Sequence, residues 1–243
     1  MDLPSVAERT ERPYISTGHL PEPETVQTLV SDAHRRFASN DDGENSQVYP
    51  ALARVPRHLF GVCVVGISGR VYGAGDIEYE FSIMSVSKPF VFALVCETIG
   101  AEAARDRLGA NATGLPFNSL AAIEHGGGRT NPMVNAGAIA TTSLVPGSTA
   151  EDKWQFIHDG LSRFAGRQLR LNDEVYASAS DTNFRNRSIA RLLQSYDRIY
   201  CDAKLATDLY TRQCSLNVSA RDLAVMGATL ADGGVNPITR ERV

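Results

Sequence analysis

Phe81-Ser-Ile-Met-Ser85-Val-Ser-Lys88, running straight into Pro89-Phe-Val-Phe-Ala-Leu-Val-Cys96, is the stretch on which the reading of this chain turns. Pro89 lacks an N–H and disfavours a helical residue before it, so the spacing predicts a helix beginning near Val86 to Lys88. Ser85 then sits at or just before the first turn, where unbonded N–H groups and the helix dipole favour a developing anion. Lys88 follows three residues on, across one helical turn. A serine and a lysine at that spacing form the Ser-x-x-Lys acyl-transfer site, in which serine attacks a carbonyl and lysine takes its proton.

Lys88, Lys153 and Lys204 are the only lysines in the chain. With so few, a Ser-x-x-Lys arises by chance about one time in four at ordinary serine usage, so the motif is weak by itself and its placement raises it. Lys88 can act as a base only if desolvation or a neighbouring positive charge lowers its pKa. Ser82 and Ser87 are rival hydroxyls, and neither has a lysine three residues on. The plainer reading makes Ser85 an N-cap and Lys88 an amine reaching into water.

Working outward, 243 residues suffice for one large or two modest domains with a substantial core. A net charge of −4 argues against a nucleic-acid partner, since no basic stripe is available for phosphates. The apolar run Pro89 to Cys96 is too short to span a bilayer, and residues 1–12 have no signal-peptide pattern. No membrane partner is expected. Cys63, Cys96, Cys201 and Cys214 lack Cys-x-x-Cys spacing, which reads as a reduced cytoplasmic protein without a zinc cluster.

Residues 1–20 read as a polar tail, and 21–243 as one domain. Pro21-Glu-Pro-Glu24 starts a helix with Val26, Leu29, Val30, Ala33 and Phe37 on one face, ended by Asn40-Asp-Asp-Gly43. Phe60 to Val65 and Arg70 to Ala74 read as strands joined by Ile67-Ser-Gly69, a hairpin. Helices are expected over 86–99, 101–108, 135–144, 150–164, 186–196, 204–213 and 220–231, the last opened by a Ser219/Asp222 capping box. A lone hairpin is at best marginal, so partner strands are expected from beyond Thr239-Arg-Glu-Arg-Val243, which reads as a C-terminally incomplete domain.

Three further segments carry polar chemistry. In Arg129-Thr-Asn-Pro-Met-Val-Asn135-Ala-Gly-Ala-Ile139, Asn135 offers one donor and one acceptor to a ligand, or merely caps a helix. In Glu174-Val-Tyr-Ala-Ser-Ala-Ser-Asp-Thr-Asn-Phe-Arg-Asn186, the last asparagine opens a helix between Arg185 and Arg187. In Asp208-Leu-Tyr210-Thr-Arg-Gln-Cys-Ser215, Tyr210 presents a phenol either to a site or to the core.

Taken in this order, the four segments resemble the serine-dependent glutaminases, as do Leu59-Phe-Gly61, Tyr72-Gly-Ala-Gly-Asp76 and Ala228-Thr-Leu-Ala-Asp-Gly-Gly-Val-Asn-Pro-Ile-Thr239. The similarity covers nearly everything after about residue 24, and Asn131-Pro-Met-Val-Asn-Ala-Gly137 is its most specific part. The resemblance implies an α+β, β-lactamase/transpeptidase-like fold, an antiparallel sheet with a large helical part. It implies hydrolysis of L-glutamine to L-glutamate and ammonia, with no metal or organic cofactor, and a homo-oligomer, commonly a tetramer. By position, Ser85 is the nucleophile and Lys88 its base, while Asn135, Asn186 and Tyr210 hold substrate.

The pattern is broken in three places. The family's Ser-Glu pair, whose glutamate binds substrate, reads Ser178-Ala179 here, with Asp181 two residues on as a possible replacement. Tyr49 stands one place after the family's tyrosine, with Val48 at the matching position. The family pattern also continues past Val243, where the resemblance implies another tyrosine, a Lys-Ser-Gly strand and an oxyanion-hole N–H. Two rivals remain: a β-lactamase or transpeptidase-like acylase, and a non-catalytic relative that binds an amino acid or serves as an assembly subunit. Neither a Ser-Asp-Asn nor a Tyr-x-Asn triplet occurs to favour the first, whereas Ala179 favours the second.

Overall fold

Proline at the first position of α1 (Pro23–Phe37) costs no hydrogen bond and presets φ, so the helix starts there. The computed structural model describes residues 21–243; the polar tail assigned to residues 1–20 lies outside them. Of the expected apolar face of α1 only Val30 is buried, while Leu29 and Phe37 are more than half exposed. The reason is the narrowness of what it covers: α1 lies on a two-stranded hairpin, β1 (Gly61–Val65) and β2 (Val71–Gly75). The strands are antiparallel, with Gly61 opposite Gly75 and Val65 opposite Val71. The turn closes through Gly69 N–H to Gly66 O at 2.9 Å. Gly69 has φ +82°, and a side chain there would also strike the Pro237 carbonyl.

A second, smaller sheet was not foreseen, because its strands are two or three residues long. It consists of β3 (Phe81–Ser82), β4 (Arg170–Leu171) and β5 (Leu216–Val218), antiparallel in the order β3-β5-β4. Its work is positional: Ile83 N–H continues the ladder to Leu216 O at 2.8 Å and fixes the chain just before Ser85. No third strand joins the hairpin among the described residues. Its support comes from α1 and from α11 (Ala220–Ala231), which opens with the expected Ser219/Asp222 capping box.

The remaining helices are α2 (Pro50–Ala53), α3 (Ser87–Ile99), α4 (Ala101–Leu108), α5 (Ala121–His125), α6 (Asn135–Ser143), α7 (Ala150–Ala165), α8 (Asp173–Thr182), α9 (Phe184–Ser195) and α10 (Ala203–Cys214). They build two cores. Phe90, Val91, Leu94 and Val95 of α3 meet Ile157, Leu161 and Phe164 of α7, Met226 of α11 and Leu216 of β5. Ile139 of α6, Ile189 and Leu193 of α9, and Ala206 and Tyr210 of α10 form the second. Phe92 on another side of α3 packs against that second core. A helix apolar all round is wanted by neighbours on every side, and α3 is such a helix.

All nine residues of α6 are buried. Its small side chains let the backbone approach its neighbours closely, and Gly137 shows how closely. A Cβ there would collide with the Asn131 carbonyl. The Asn131-Pro-Met-Val turn is thereby folded back onto its own helix, which sets the height of Asn135.

Candidate active site

Ser85 stands in the middle of a single 3₁₀ turn, Met84–Val86, that hands the chain from β3 to α3. Met84 has φ +50°, in the left-handed region, where a side chain other than glycine costs about 1–3 kcal/mol and persists only if the surroundings enforce it. The surroundings do: Ile83 is 1% exposed and Ser87 0%, while Ser85 between them is exposed. Ser85 does not cap the helix, whose N-cap is Val86 without any side-chain cap bond. Its hydroxyl instead opens on a cavity of about 280 Å³, walled by Tyr49, Phe117, Asn135, Asn186, Tyr210 and others.

Lys88, one turn below, is 5% exposed. Its ammonium donates to Asn135 Oδ1 at 2.9 Å and Met133 O at 3.2 Å, and lies 5.7 Å from the Phe117 ring centroid. Both acceptors are neutral. Among the described residues no carboxylate forms an ion pair with it. Desolvation therefore dominates and pulls the Lys88 pKa down, against a small opposing effect of Cys214. That environment favours the neutral amine, a proton acceptor, and not an amine reaching into water.

Asn135 is the hub of the site. Its Oδ1 accepts from Lys88 and, at 3.5 Å, from the Tyr210 hydroxyl; its Nδ2 donates to Asn186 Oδ1 at 3.0 Å. Asn135 is the first residue of α6 and does not cap it, so its amide is used sideways, as a link from the base to Asn186. One Nδ2 hydrogen of Asn135 and the Asn186 NH₂ group have no partner among the described residues, leaving them for a ligand. Burial pushes the Tyr210 pKa well above the usual phenol range, with a Ser85 hydrogen bond acting the other way, so the phenol stays protonated beside Ser85. Burial likewise pushes the Cys214 thiol up to about 11.

Ser87 has a different occupation. Its Oγ accepts from Gln213 Nε2 at 3.1 Å and lies 3.8 Å from Cys214 Sγ, while Gln213 Oε1 accepts from Thr142 Oγ1 at 2.9 Å. This buried chain ties α3 to α10 and α6, and Ser87, Gln213 and Thr142 line no part of that cavity. Ser82 is buried as well.

The five residues singled out in the sequence, Ser85, Lys88, Asn135, Asn186 and Tyr210, thus meet in one place from four separated segments. Tyr49 reaches the same wall despite its shifted position, and so does Ala179, which is 3% exposed. Asp181 is exposed and lines no part of the cavity, so it does not stand in for a carboxylate at position 179. Phe117 was not foreseen: it lies in the aperiodic stretch between α4 and α5, where nothing in the sequence marks a wall residue. Its backbone carbonyl also accepts from Asn135 N–H at 2.8 Å. No cluster of three or more metal-ligating side chains occurs among the described residues.

Comparison with known proteins gives a consistent result. The family model described as Glutaminase matches residues 43–243. Glutaminase 2 of Yersinia pestis is 69% identical over 231 residues, covering 95% of this chain and 68% of that protein. Glutaminase 1 of Escherichia coli (strain K12) is 49% identical over 219 residues, covering 90% of this chain and 71% of that protein. A solved structure of a probable glutaminase superposes with a TM-score of 0.90 at 47% identity, over 92% of this chain and 72% of that one.

Proposed function

This chain belongs to the glutaminase family, and from that premise we propose that Ser85 and Lys88 carry its hydrolysis of L-glutamine to L-glutamate and ammonia. The α+β, β-lactamase-like fold shared with solved glutaminases is the frame for that chemistry. The observation that carries the residue assignment is the buried lysine without a carboxylate partner, one turn beneath an exposed serine that opens on a cavity.

Neutral Lys88 takes the Ser85 proton as Oγ attacks the side-chain carboxamide carbon of glutamine. The oxyanion forms at the N-terminal mouth of α3, where the helix dipole favours negative charge. Collapse breaks the C–N bond, and the nitrogen leaves as ammonia with the proton that Lys88 returns. The γ-glutamyl ester on Ser85 is then attacked by water, Lys88 again holding the proton, and glutamate departs with Ser85 restored. One water is consumed per ammonia released. Asn135 positions Lys88 and, with Asn186 and Tyr210, holds the substrate's polar ends.

An assembly subunit or a passive amino-acid binder would gain nothing from a desolvated lysine under an exposed serine, because burying the amine only costs stability. The test is ammonia release from L-glutamine by Ser85→Ala and Ser87→Ala variants. Ser85→Ala should abolish release and Ser87→Ala should retain it. Turnover persisting in a folded Ser85→Ala protein would refute the assignment.

A further inference from the structure

We propose that Ala179 sets the specificity of this enzyme, making its preferred substrates ω-carboxamides of short carboxylic acids whose α-substituent is neutral or absent, with L-glutamine a weaker member of the class. The inference rests on the glutaminase reading of the cavity and names its substrate class.

Its basis is the charge of the cavity wall. Among the described residues the lining includes no aspartate or glutamate, and its one cation is Arg185. Arg185 donates to the Asn118 carbonyl through Nε at 2.9 Å and forms no ion pair among the described residues, leaving the rest of its guanidinium for a ligand carboxylate. The remaining ionisable wall groups are Tyr49, Tyr210 and Cys214, each pushed up by burial and therefore uncharged at neutral pH. The carboxylates nearest in the chain are engaged elsewhere. Asp208 accepts from the Tyr176 hydroxyl at 2.5 Å and forms an ion pair with Arg212 at 3.0 Å; Glu174 pairs with Arg54; Asp181 is exposed outside the cavity.

A carboxylate entering this cavity meets Arg185. An α-ammonium meets only neutral oxygens, with Arg185 as the one charge on the wall. A hydroxyl, an amide N–H or plain hydrogen at that carbon loses nothing by comparison, because neutral acceptors serve a neutral donor equally well. Ala179 is the position where an anion can be supplied: it lies on α8, is 3% exposed, and presents its methyl group to the cavity.

The experiment compares kcat/KM for ammonia release from L-glutamine, from 4-carbamoylbutanoate, which is glutamine without its amino group, and from the 2-hydroxy analogue. The two analogues should be hydrolysed at least as efficiently as glutamine. Ala179→Glu should shift the ratio towards glutamine by about tenfold or more, the discrimination expected from one charge-assisted hydrogen bond. Ala179→Gln, of nearly the same size without the charge, should leave the ratio unchanged and so separates charge from bulk. A wild-type preference for glutamine above about tenfold would overturn the inference, because it requires an anion at the ammonium. An unchanged ratio in a folded, active Ala179→Glu protein would also overturn it. If no amide releases ammonia, the glutaminase reading of the cavity fails, and the specificity inference falls with it.

Discussion

Replacing Lys88 by methionine should destroy activity and yet stabilise the fold near neutral pH. Methionine matches the length of the lysine stem and removes only the amine. In the wild type Lys88 is 5% exposed and its amine is held by two neutral oxygens. Exchanging buried charge for a hydrophobe of similar shape typically gains about 1–4 kcal/mol where pairing is incomplete. The losses are small, because Asn135 Oδ1 keeps its contact with the Tyr210 hydroxyl and Met133 belongs to an exposed turn. The pH dependence is the sharper measurement. The folded-state pKa of Lys88 is depressed from its ordinary 10.5, mainly by burial. Between the depressed value and 10.5 the unfolded chain holds the proton and the folded one does not. Wild-type stability from this group therefore rises with pH across that window, at up to about 1.4 kcal/mol per pH unit. Below the window the full cost of the buried ammonium is present. Urea unfolding of both proteins over a pH series should thus show an excess stability of Lys88→Met that is largest at low pH and shrinks as pH approaches 10.5. A variant less stable than wild type throughout, or a difference flat in pH, would mean that Lys88 is a favourably held ammonium. It could not then be the base.

Other substitutions test the supports of the site. Ser87→Ala leaves the Gln213 amide without its acceptor and should cost about 1–3 kcal/mol in denaturant melts while turnover survives. Asn135→Asp places an anion where a neutral oxygen now lies 2.9 Å from Lys88 Nζ. It should raise the Lys88 pKa, move the acidic limb of the kcat profile to higher pH and depress activity at neutral pH; an unmoved limb would remove Lys88 from the rate-determining ionisation. Gly137→Ala drives a methyl into the Asn131 carbonyl and should cost about 1–3 kcal/mol, with a fall in kcat because α6 carries Asn135. A drop in melting temperature without a change in kcat would show that the height of α6 is not what positions the base.

Periodicity made the long elements legible. The helices over 101–108 and 220–231 fall where the sequence puts them, that over 150–165 differs by a residue at one end and that over 203–214 by a residue at each end, since each has caps or breakers and an apolar stripe. What escaped was short or nearly featureless. β3, β4 and β5 are two or three residues each, below the length at which alternation can be counted, and α8 buries only Val175 and Ala179, too little for a stripe. The face read on α1 was real in spacing but largely unburied, because a pattern reports which side a helix can bury, and the hairpin beneath it is only two strands wide.

The site shows the same division from another direction. Four polar segments were visible as oddities in the chain, yet each alone was equally well a cap or a surface residue. What converts them into chemistry is distance, and distance here is set by features with no polar signature. Met84 in the left-handed region lifts Ser85 out of a buried stretch, and Gly137 lets α6 sink until Asn135 meets Lys88. The β3–β5 ladder fixes the height at which both events occur. The depression of the Lys88 pKa follows from that packing, since the same Ser-x-x-Lys with its lysine facing water would hold an ordinary ammonium and an unactivated serine. A strained methionine, a glycine without room for a methyl and two residues of strand are therefore as much a condition of the proposed base as the lysine itself.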